Sequence, residues 1–125
     1  MNGSLLRIAL ICIAAITVLT GLVQLAAPGW ALAFISADHS PLGAHFFRTV
    51  GMFMVITGAM FLQSLCARSA EGFIPFWIGV QKLAAALLVG WAIVSGLLAP
   101  IAYAVAGFDA ATAILTFAFW RRLPQ

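Results

Sequence analysis

The chain has 125 residues, of which 65% are hydrophobic and 7% charged, whereas a soluble domain is about half apolar and about a quarter charged. So small a core cannot hide this much apolar surface from water, and the composition implies lipid as the solvent. The net charge of +3 comes from six scattered basic residues, with no basic stripe interleaved with aromatics, which excludes nucleic acid as a partner.

Taken in order, the first apolar run follows Arg7 and extends from Ile8 to Ala27. It is longer than the core of a signal peptide, about 7–15 residues, and reads as a retained membrane helix. A spanning helix needs about 20 mostly apolar residues. Four segments meet that length, at about 5–27, 42–67, 72–98 and 101–120. The connection Arg68-Ser69-Ala70-Glu71 is short and polar, which predicts an antiparallel hairpin. Ala99-Pro100 forms the last connection, where proline removes a backbone donor and turns the chain.

The first connection, about 28–41, is less polar. Trp30, Leu32, Phe34 and Ile35 precede Ser36-Ala37-Asp38-His39. This predicts a short helix or folded loop at the interface, anchored by Trp30. Leu25-Ala26-Ala27-Pro28 is echoed by Leu97-Leu98-Ala99-Pro100, as two hairpins of the same sense would require.

Threading four helices places Arg7, Arg68, Arg121 and Arg122 on one side of the membrane. The excess of Lys and Arg on cytoplasmic segments then puts both termini in the cytoplasm. The expected fold is all-α: a single-domain, four-helix transmembrane bundle running up-down-up-down.

Five polar residues fall inside or near the spans: Gln24, His45, Arg48, Lys82 and Asp109. On helical wheels Gln24 shares a face with Thr17 and Gly21, and Arg48 with Gly51 and Val55. Lys82 falls with Gly79 and Ala86, and Asp109 with Ala106, Ala113 and Thr116. Small residues let membrane helices approach closely, so these faces predict the bundle interior. A rise of 1.5 Å per residue puts Lys82 and Asp109 each about 15 Å from a membrane edge, near the middle. The expectation is a polar column of Gln24, His45, Arg48 and Asp109, with Lys82 at its base. Two cations then face one anion, which leaves two readings open: a structural salt bridge, or a cavity that receives an anionic or polar ligand.

Other chemistries have little support. His39 and His45 offer no paired metal-ligand spacing, and no second deep histidine exists for haem. Cys12 and Cys66 read as buried, inert thiols. No serine has a histidine at its depth, and neither a phosphate loop nor a dinucleotide fingerprint is present.

Arg7, the segment Phe47-Arg48-Thr49-Val50-Gly51 leading to Gly58, Lys82 in the third helix, and Asp109 in the fourth followed by Arg121-Arg122 together resemble the DoxX-like group of small four-helix bacterial membrane proteins. The resemblance implies a bacterial inner-membrane location and an association with quinone-linked or thiol redox systems. The leading reading is a non-enzymatic binding module or accessory subunit of a membrane assembly, with no cofactor of its own. Two alternatives stand beside it. One is a small oligomeric transporter or channel for a polar or anionic solute. The other is a quinone- or lipid-linked redox enzyme component, with His45 and Arg48 near the head group. The partners expected are the lipid bilayer and either further copies of the chain or a larger membrane complex.

Overall fold

The structure is a computed structural model and describes residues 2–38, 40–67 and 71–124. The expectations placed on His39, Arg68 and Ser69 lie outside the described residues. The elements are α1 (Gly3–Ala26), α2 (Pro28–Ala33), α3 (Pro41–Cys66), α4 (Phe73–Val94), a 3₁₀ turn (Pro100–Ala102) and α5 (Tyr103–Trp120). Among the described residues the fold is all-helical, and α1, α3, α4 and the 3₁₀–α5 unit are each long and apolar enough to cross a membrane. The chain is an integral membrane protein by that architecture.

Local signals set the helix ends. Pro41 opens α3 at a position where its missing N–H costs nothing. Just before it, Ser40 Oγ accepts the Gly43 N–H at 3.0 Å, and Asp38 Oδ1 accepts the Ser40 N–H at 2.8 Å. The expected connection at about 28–41 does contain a short helix, α2, which buries Pro28 and Leu32 and leaves Trp30 62% exposed. Pro28 and Pro100 each start a short helical piece after an Ala, so the echoed Ala-Pro pairs have the same structural outcome.

One boundary needs correction. The third span was expected to run to 98, but α4 stops at Val94. Gly96 adopts φ 75°, the left-handed conformation that glycine reaches without penalty. Its N–H bonds to the Ile93 carbonyl at 3.0 Å, and the Leu97 N–H bonds to the Ala92 carbonyl at 2.8 Å. This Schellman cap satisfies the last carbonyls and terminates the helix. Hydrophobicity alone continues through Leu98, which hides the stop.

The helices pack as two close pairs, α1 with α3 and α4 with α5, and the pairs meet less extensively. At the end that carries the termini they share one apolar core: Leu6, Leu10 and Ala14 from α1, Phe61 and Leu65 from α3, Ile78 from α4, and Phe119 from α5. At the far end, the Ala99 N–H donates to the Ile35 carbonyl at 2.7 Å, tying the α4–α5 connection to the segment after α2.

Candidate functional site

The site is built where α4 and α5 pass each other at mid-length. Lys82 lies ten residues into α4, which starts at Phe73, and Asp109 seven into α5, which starts at Tyr103. Both face inward because the residues a turn away, Gly79 on α4 and Thr112 and Ala113 on α5, are buried against the neighbouring helices. Lys82 Nζ donates to Asp109 Oδ1 at 2.6 Å, and the two side chains are only 6% and 11% exposed. The same Nζ lies 5.6 Å from the centre of the Phe108 ring, where the ring face favours a cation. The wheels and the depth estimate therefore identified a direct contact across 27 positions of sequence.

Removing either charge from this place would leave the other desolvated and alone, which is the costly state for an ion in a low-dielectric interior. Together they are neutral. Lysine has three N–H donors, and one of them goes to Asp109. Between the two helix pairs lies a small cleft bordered by Ile13, Ala14, Thr17, Phe61, Ile78, Gln81, Lys82 and Thr112, and its walls are apolar atoms. Its volume of about 10 Å³ is too small for a solute, and apolar walls give a water no partner. Thr17 and Thr112 return their hydroxyl protons to their own helices, at Ile13 O (3.0 Å) and Phe108 O (2.7 Å). Lower in the bundle, Ser64 Oγ and Thr116 Oγ1 are buried with no hydrogen-bond partner among the described residues.

The rest of the expected column does not assemble. His45 and Arg48 are both exposed. His45 meets the Phe46 ring edge-on at 6.4 Å, and Arg48 has no hydrogen bond or ion pair with the described residues. The reason is the face that α3 buries. Its seam is Gly51, Gly58, Phe61 and Leu65, with Arg48 on the flank of that seam and His45 nearly opposite it. Gln24 is half-buried, with its Oε1 enclosed and unpartnered, at the α1–α3 crossing. There a Cβ added to Gly51 would lie 2.6 Å from Gln24 Cβ. Gln24 is thus on the correct face but belongs to a helix contact remote from the Lys82 pair. Cys12 and Cys66 are also corrected: both thiols are exposed, not buried.

Two functional groups were missed. Arg7, counted only as a topology signal, donates from Nε to Leu65 O at 2.6 Å and from Nη2 to Ala67 O at 2.9 Å. It caps the C-terminus of α3, where unpaired carbonyls favour a cation. Gln81, next to Lys82, is exposed at the edge of the cleft. A carboxamide at the midpoint of an apolar span is legible in the sequence, but the charge beside it is the stronger signal.

No protein-family model, curated protein or solved structure matches this chain.

Proposed function

We propose that the protein is a non-enzymatic membrane module, acting as a binding partner or accessory subunit within a larger membrane assembly. On this reading it sits in a bacterial inner membrane with both termini in the cytoplasm, as the distribution of arginines favours. The observation that carries the proposal is the closed Lys82–Asp109 pair. The two charges neutralise each other at 2.6 Å, and the apolar-walled cleft nearby, about 10 Å³, is too small for a solute.

A solute path would instead need a continuous polar lining, and His45 and Arg48 lie outside the interior. Arg48, seven residues into α3, is about 10 Å from the start of that helix. An arginine there can extend along the helix to the interface and meet an anionic group supplied from outside the chain. We propose further that the chain is related to the DoxX-like group that it resembles. Of the residues that carry the resemblance, Gly51 and Gly58 stand at the α1–α3 crossing and Lys82 and Asp109 form the ion pair.

Two measurements test this. Isolated from its native membranes in mild detergent, the protein should co-elute with another membrane protein in fixed ratio, and Arg48→Gln should weaken that association without changing thermal stability. Reconstituted alone in vesicles, it should leave chloride and phosphate permeability at the level of empty vesicles. Anion flux that disappears in Asp109→Asn would replace the accessory reading with the transporter one.

A further inference from the structure

The outward face of α4 carries an observation that the ion pair does not use. Among the four spans α4 is the least buried, and it contributes only Pro75, Ile78, Gly79 and Lys82 to the interior. Opposite these lies a continuous exposed row: Phe73, Trp77, Gln81, Ala84, Leu88 and Trp91. The steps along it are four, four, three, four and three residues. This is the seam that one straight helix presents to another in a near-parallel packing.

Lipid covers the apolar members of this row without difficulty. It cannot cover Gln81. The residue is the ninth of α4, beside Lys82, at mid-membrane depth. Its carboxamide makes no hydrogen bond with the described residues. Hydrocarbon offers neither donor nor acceptor, so an exposed amide at this depth favours any arrangement that brings it a polar partner. Glutamine side chains join membrane helices by this means.

We propose that the protein self-associates in the membrane through α4, with Gln81 of one copy hydrogen-bonded to Gln81 of a second. A carboxamide carries both donors and an acceptor, so two of them satisfy each other reciprocally. Depth selects the same partner. All copies insert with one topology, so a two-fold axis along the membrane normal sets identical residues at identical depth. A different protein would need its own polar residue at that level. Ala84, one turn further along, is small enough to let the two α4 backbones draw together. Trp77 and Leu88 flank the amides and shield them from lipid. The dimer would also cover the edge of the cleft beside Lys82. This inference does not depend on the accessory-subunit reading, because it concerns copies of this chain alone.

The test uses the full chain in liposomes, labelled at its termini, with dimer fraction followed by energy transfer as protein is diluted into lipid. The wild-type protein should show a reversible monomer–dimer equilibrium. Gln81→Leu should weaken it by about 3- to 30-fold, from the measured range for such hydrogen bonds, and Gln81→Asn should recover part of the loss. In a background of Cys12→Ser and Cys66→Ser, with Gln81 intact, oxidation should cross-link Ala84→Cys to a dimer and leave Ile114→Cys on α5 monomeric. The proposal is overturned by a protein that stays monomeric at every lipid ratio, by a dimer insensitive to Gln81→Leu, or by cross-linking through Ile114→Cys in preference. Association only with a different chain would equally exclude the second copy as the occupant.

Discussion

The two helix pairs are held by different means. In α1–α3 the backbones themselves touch. A Cβ added at Gly21 would lie 2.7 Å from Gly51 O, and one added at Gly51 would lie 2.8 Å from Gly21 O; at Gly58 it would meet a Val18 methyl at 2.9 Å. No charge takes part at these glycines; the one charged contact named between the two helices, Arg7 with the Leu65 and Ala67 carbonyls, lies at the end of α3. In α4–α5 the neighbour at the glycine is a side chain, the Phe117 ring over Gly79, and the pair is fixed by Lys82–Asp109. The first pair is specified by shape. The second is specified by charge, which sets helix rotation and depth at one point. Together they teach that a membrane bundle without hydrophobic drive between its helices needs either backbone proximity or a polar contact at each interface. The interface that lacks both, the outer face of α4, is the one where Gln81 waits for a partner.

This contrast can be broken from either side. The largest effect is expected for Asp109→Asn, which strands the Lys82 ammonium in the interior. Unfolding measured in bicelles should show a loss of about 3–5 kcal/mol, and expression should fall with it. On the other pair, Gly51→Leu must push α1 and α3 apart, at a cost of about 2–3 kcal/mol. Gly107→Ala is the matched control, since a Cβ there meets nothing within 4 Å. If both glycine variants behave alike, shape does not specify the first pair.

Arg7→Ala removes both hydrogen bonds to the α3 terminus and should cost about 1–2 kcal/mol, because the group is only partly buried. Arg7→Lys should recover little, as one ammonium cannot span both carbonyls as a guanidinium fork does. The smallest effect, about 1 kcal/mol, is expected for Gly96→Ala, which forces a Cβ into the left-handed region. It should fray the last turn of α4, visible as faster amide exchange at Leu97 and Ala99, with little change in global unfolding.

Much of this organisation was legible in the sequence. Length and hydropathy gave four spans to within a few residues, except at Gly96, where a capping signal sat inside an unbroken apolar run. The Lys82–Asp109 contact followed from depth and small-residue faces, because charge in hydrocarbon leaves few alternatives. His45 and Arg48 were harder. A wheel through Arg48, Gly51 and Val55 is rotated from the true seam through Gly51, Gly58, Phe61 and Leu65, and near a membrane surface a cation need not face inward. The Arg7 cap depends on where the end of α3 falls beside the start of α1, a tertiary register that no local pattern encodes. Gln81 was readable in depth but not in direction.

The account rests on Lys82–Asp109 being a scaffold whose charges matter only to each other. The most direct test is the double variant Lys82→Met/Asp109→Leu, followed by reversible unfolding in bicelles beside the two single variants. Replacing a buried pair with apolar residues of similar volume is expected to leave stability within about 1 kcal/mol of the natural protein, or to raise it, far above Asp109→Asn. A double variant as unstable as Asp109→Asn would contradict the account, because the charges would then be needed for something other than each other.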